Sequence, residues 1–97
     1  MKVVFVSGPY RGKITENIRI ARQHAEMLWK KGYAVFCPHL NSAHMDGVAS
    51  DETFLNGDLE ILSRCDLVYL LPGWEQSKGA RKEWELARKM GIRRVMI

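Results

Sequence analysis

The sequence predicts one three-layer α/β/α domain on a parallel four-stranded sheet of the Rossmann-like or flavodoxin-like kind, with strand order 2-1-3-4. Three observations predict it. Apolar, β-branched runs alternate with amphipathic helical periods in the order β-α-β-α-β-α-β. The first three runs end in loops marked by Gly8-Pro9, Pro38 and Pro72-Gly73, as buried strands do. The length of 97 residues supplies one core, so the whole of 1–97 is expected to be a single domain.

Val3 to Val6 is the first strand, β-branched and aromatic enough to be buried on both faces. The loop Gly8 to Gly12 follows. Thr15 is the expected cap of a helix whose apolar stripe is Ile18, Ala21, Ala25, Leu28 and Trp29, and Lys30-Lys31-Gly32 is its stop. Tyr33 to Cys37 is the second strand, and a β-α-β unit in one sheet is a right-handed parallel crossover. From Pro38 to Ser50 no period is evident, so the stretch reads as a long loop.

Ser50 caps a helix from Asp51 to about Arg64, with Phe54, Leu55, Leu59, Ile61, Leu62 and Cys65 on its apolar face. Asp58 lies near the middle of that face. It is either an inward carboxylate, a partner for a loop backbone, or the cap of a second half if the helix breaks at Gly57. Asp66 to Leu71 is the third strand, and Ile92 to Ile97 the fourth. Between them, Ser77 to Met90 forms a helix with Ala80, Trp84, Leu86, Ala87 and Met90 on one side and Lys78, Arg81, Lys82, Arg88 and Lys89 on the other. Glu83 sits inside the apolar stripe. A carboxylate there either pairs with a neighbouring Arg at the stripe's edge or faces the body of the protein for a purpose, because carboxylates are rarely buried without a partner.

The totals narrow the classes of function. A net charge of +4 reads as a modest excess spread along the chain with no block of like charges, which permits nucleic-acid binding without suggesting a specific one. Cys37 and Cys65 lack CxxC or Cys/His spacing and read as reduced core thiols, consistent with a cytoplasmic protein. No run is long enough to span a membrane, and the amino terminus leads directly into a strand. His39 and His44 lack a third ligand with zinc-like spacing, so no metal is expected.

In an open parallel sheet, ligands bind beyond the carboxyl ends of the strands. Three loops meet there, and Asp58 and Glu83 can both reach that edge. Two carboxylates in a partly apolar cleft suit a glycosidic bond, one attacking or stabilising the sugar carbon and the other handling the leaving-group proton. Arg11 is placed to hold a phosphate, and Ser77 and Gly79 offer a hydroxyl and helix N-terminal N–H groups to an anion. Gly8 and His39 lie in the loops at the same edge. Tyr10 could stack on a base, orient a carboxylate or only pack; Trp74 could be a base platform, a subunit contact or a lid.

Several segments resemble a known family. Gly8-Pro9-Tyr10-Arg11-Gly12, Glu16-Asn17-Ile18, Cys37-Pro38-His39-Leu40, Asp58-Leu59-Glu60 before Cys65-Asp66, and Ser77-Lys78-Gly79-Ala80-Arg81-Lys82-Glu83 recur at similar places in the nucleoside 2-deoxyribosyltransferase superfamily. The most specific piece is Ser-x-Gly-x-x-x-Glu followed by a Gly eight residues on, met by Ser77, Gly79, Glu83 and Gly91. The likeness is to small uncharacterised bacterial and phage members, and more distantly to the 2′-deoxynucleoside 5′-phosphate N-hydrolases. It implies Glu83 as the nucleophile forming a deoxyribosyl ester, Asp58 as the second catalytic carboxylate, Arg11 and Ser77 at the 5′-phosphate, and Tyr10 near an aromatic that orients the nucleophile. Where the transferases carry an additional Asp before the nucleophile, this chain has Glu75 and Gln76. The resemblance further implies a nucleoside or nucleotide ligand, no cofactor and a homodimer or larger homo-oligomer. The alternative is a non-catalytic nucleotide-binding or assembly module of the same fold.

Overall fold

Four strands pair side by side, all parallel, in the order β2-β1-β3-β4. The computed structural model describes residues 1–96. Its elements are β1 (Val3–Ser7), α1 (Ile14–Lys30), β2 (Ala34–Phe36), α2 (Pro38–Asn41), α3 (Asp51–Leu62), β3 (Leu67–Leu70), a 3-10 turn (Trp74–Gln76), α4 (Lys78–Lys89) and β4 (Arg93–Arg94). Strand β1 lies between β2 and β3, and Val4, Phe5, Val6 and Ser7 are all inaccessible to solvent.

Alternation along the strands sorts side chains into two cores. Val4, Val6 and Leu71 pack with Ala21, Ala25 and Leu28 of α1 on one face. Phe5, Val68 and Leu70 pack with Leu62 of α3 and Ala87 of α4 on the other. Each fully buried Phe, Leu or Val contributes roughly 1.5–3 kcal/mol, so these two layers carry the fold. Ser7 follows Phe5 by two positions and therefore faces α3 and α4. That parity turns the Ser7 hydroxyl toward Glu83 of α4.

Several local expectations are corrected. Helix α1 starts at Ile14, and the Asn17 N–H already bonds the Lys13 carbonyl, so Thr15 lies inside the first turn instead of capping it. Asn17 Nδ2 donates to the carbonyls of Tyr10 and Arg11, tying the β1–α1 loop to the helix. Trp29 is 55% exposed: it stands one residue beyond Leu28, about 100° around the helix and off the buried stripe. Residues Pro38–Asn41 form the short α2, for which Pro at the first turn supplies a preset φ.

Ser50 does cap α3, its Oγ accepting from the Thr53 N–H at 3.1 Å. The helix runs unbroken through Gly57 to Leu62, which removes the capping alternative for Asp58. Strand β4 holds only Arg93 and Arg94; Val95 still bonds the Val68 carbonyl, and Ile97 lies outside the described residues. Gly91, at φ 73°, turns the chain out of α4 and leaves Met90 at 49% exposure. Both cysteines are free thiols, with Cys37 buried and Cys65 partly so.

Candidate active site

Helix α4 approaches the sheet closely because its inner face carries Ala80 and Ala87 on either side of Glu83, and all three are buried. The small side chains bring the Glu83 carboxyl down to the end of β1. There Ser7 Oγ donates to Glu83 Oε1 at 2.6 Å. Glu83 is only 7% exposed, and burial pushes its pKa up to about 8; the Ser7 bond opposes that shift and the charge of Asp58 adds to it. Asp58, half-buried on α3, is raised to about 6 by burial. The pair therefore shares electrostatic influence across the gap between α3 and α4. Near neutral pH it holds a single proton, mainly on Glu83.

An open cleft of about 840 Å³ lies over this pair, at the carboxyl edge of the sheet. Eight of the nine residues singled out from the sequence line it; Trp74 does not. Trp74 instead packs edge-to-face on Trp84 with ring centres 6.5 Å apart, and the Arg94 guanidinium lies 5.9 Å from its centre. The indole packs against the core between β3 and α4 and stands outside the cleft lining, apart from the other residues expected at the substrate.

The other candidates are held in specific ways. Gly8 lets the first loop pass over β3, since a Cβ there would come within 2.5 Å of Leu71 Cβ. Ser77 caps α4, its Oγ accepting from the Ala80 N–H at 3.2 Å, which leaves the hydroxyl hydrogen for an acceptor in the cleft. Gly79 follows in the first turn, where its missing side chain opens the floor. Arg11 is paired with Asp51 and lies 3.8 Å from Asp46. These ion pairs are exposed and weak, about 1 kcal/mol or less, so an incoming anion can compete for the guanidinium.

Tyr10 donates its hydroxyl to Asp46 at 3.0 Å. The Glu83 carboxyl takes its hydrogen bond from Ser7, the position that the sequence reading passed over. The available signal was a hydroxyl closing an otherwise apolar strand. His39 is 5% exposed, and its Nε2–H donates to the Pro9 carbonyl at 2.7 Å. Burial lowers its pKa, so it is a neutral ring that pins the Gly8-Pro9 loop and contributes to the cleft wall. Among the described residues, no group of three or more His, Cys, Asp or Glu converges as metal ligands do, and no helix is long and apolar enough to cross a membrane.

The fold is shared with a solved 2-deoxyribosyltransferase. A solved 2-deoxyribosyltransferase from the psychrotolerant bacterium Bacillus psychrosaccharolyticus superposes with a TM-score of 0.74 over 95% of this chain and 69% of its own, at 18% identity. At that identity the likeness is one of fold. Residues 2–96 match the domain of unknown function DUF4406, and the chain belongs to that family, which shares this fold. No curated protein matches the sequence.

Proposed function

We propose that the cleft cleaves the N-glycosidic bond of a 2′-deoxynucleoside or its 5′-monophosphate, with Glu83 as nucleophile. The observation that carries the reading is Glu83 itself: a carboxyl buried at an open cleft, bonded to Ser7, with Asp58 near enough to raise its pKa further. No cation bridges Glu83 among the described residues, so when it ionises only the Ser7 bond offsets the cost of its burial.

The proton inventory suits the chemistry. Asp58, ionised first, accepts the proton that Glu83 holds and passes it to the ring nitrogen of the departing base. The Glu83 carboxylate forms the C1′–O bond as the C1′–N bond breaks with its electron pair on the base. The products are a deoxyribosyl ester on Glu83 and a neutral base, with Asp58 again a carboxylate. Attack of water on C1′ completes hydrolysis, and attack of a second base completes transfer. Ser7 holds the attacking oxygen in register. Arg11 and Ser77 take a 5′-phosphate when one is present, Gly8 and Gly79 leave room for it, and Tyr10 and His39 shape the wall.

The test is chromatographic detection of free base after incubation with each 2′-deoxynucleoside and each 5′-monophosphate, with and without a second base. Release that Glu83→Ala abolishes, in a variant that keeps its fold, is the expected result. Nucleotide binding without release from any of them would replace this reading with the non-catalytic module. Because the pair must hold one proton, kcat/KM should follow a bell with limbs near 6 and 8, the values to which burial brings Asp58 and Glu83 in the free protein.

A further inference from the structure

The surplus positive charge, expected to be spread along the chain, is concentrated at one end. Residues 78–97 hold seven of the 15 Lys and Arg but only two of the 11 Asp and Glu, a net +5, whereas residues 1–77 have a net charge of −1. The folded structure turns this into a surface. Lys78, Arg81, Lys82, Arg88 and Lys89 are all exposed on α4, and at 100° per residue they occupy a single stripe about 120° wide. Arg93 and Arg94, also exposed, follow just beyond the helix.

The remaining helices treat their cations differently. Arg19 and Arg22 on α1 and Arg64 after α3 each lie within 4 Å of a glutamate three or four positions away, and Arg11 pairs with Asp51. On the α4 stripe the one acid is Glu85, which bridges Lys89 at 3.3 Å. Glu83 is turned inward and bonded to Ser7. Lys78 has Arg81 and Lys82 three and four residues on, and like charges at that spacing repel. Arg81 and Arg88 have only Glu85 within helical reach, which is bridged to Lys89, so a polyanion laid along the helix would neutralise charge that has no ion-pair partner among the described residues.

We infer that the outer face of α4 docks the phosphate backbone of a single-stranded polynucleotide. The stripe suits a single strand because it is one helix wide and straight, about 17 Å from Lys78 to Lys89, a track for one phosphate backbone. Its first members, Lys78 and Lys82, also line the cleft, so a strand on this face would run toward the carboxylate pair. Recognition would be through phosphate and therefore independent of sequence. The inference goes beyond the proposed function, since it holds whether or not the cleft breaks a glycosidic bond.

Fluorescence anisotropy of a labelled oligothymidylate, titrated with the full chain at several salt concentrations, tests it. Binding at low salt should weaken as salt rises, with a log–log slope of about −2 to −3 for three or four phosphate contacts. The double variant Arg81→Glu/Arg88→Glu, whose fold is checked by circular dichroism, should lose roughly tenfold or more in affinity and show a flatter slope. Arg81→Gln/Arg88→Gln should fall between the two, and Lys30→Glu/Lys31→Glu, on the opposite side of the sheet, should bind as the parent does. No binding by the folded protein at low salt, or an equal loss in the α1 variant, would overturn the inference. So would polyglutamate competing as well as unlabelled oligothymidylate, which would assign the face to an acidic protein.

Discussion

Helices α3 and α4 have the same length, cover the same face of the sheet and each turn one carboxylate inward, yet the two acids end in different states. In α4 the inner row Ala80, Glu83 and Ala87 is short enough to sit against the strands, and Glu83 is drawn down onto Ser7. In α3 only Leu62 is fully buried, and the first half of the helix lies over the cleft mouth, where Asp58 keeps part of its hydration. The depth of helix packing, set by the neighbours of each acid, decides which carboxyl keeps its proton. The residues beside an inward carboxylate thus set how deeply it is buried and how far its pKa rises.

The strongest way to break this comparison is to remove the charge from each side in turn. Glu83→Gln should lower turnover by about 10³-fold or more, as loss of a nucleophile does, while stabilising the fold at alkaline pH. The sign follows from the raised pKa. The native state keeps a proton that the unfolded chain releases near the ordinary Glu value, so stability is lost as pH rises from 4.5 through about 8. The glutamine cannot titrate, and the difference in Tm between variant and parent should widen across that window.

Asp58→Asn should cost about 10²-fold in turnover, the usual scale for a proton-transfer group. It should remove the limb near 6 and also bring the Glu83 limb down, because the charge that raises it is gone. A pH profile unchanged in shape would mean that the two acids do not communicate. Ser7→Ala sharpens the same point from the sheet side. Loss of a buried bond should cost about 1–2 kcal/mol in chemical denaturation and shift the alkaline limb upward, since the Ser7 bond holds the Glu83 pKa down. The smallest effect is expected on α3 at Gly57, where an added Cβ meets nothing within 4 Å. Gly57→Ala should stabilise by about 1 kcal/mol or less and leave the pH profile alone, confirming that packing depth and not helix stiffness separates the two acids.

Much of this was legible from local pattern. The four runs, the alternation of strands and helices, and the inward direction of Asp58 and Glu83 follow from periods of two and 3.6 and from Gly and Pro punctuation. The extra turn at Pro38–Asn41 was missed because a four-residue helix is shorter than one hydrophobic period. Thr15 misled because a good capping residue sits one position inside a helix whose start is set by the Asn17 tether to the loop.

Other features belong to the tertiary structure. Ser7 and Glu83 are 76 positions apart, and nothing local says that α4 lies on the face to which Ser7 points. Arg11 finds Asp51 across 40 positions, and Trp74 packs edge-to-face on Trp84 against the core of β3 and α4. The sequence by itself determined which residues face inward, since that depends on backbone periodicity. Only the tertiary structure decided which of them meet and what proton each holds, because desolvation and hydrogen bonding depend on distances that periodicity does not contain.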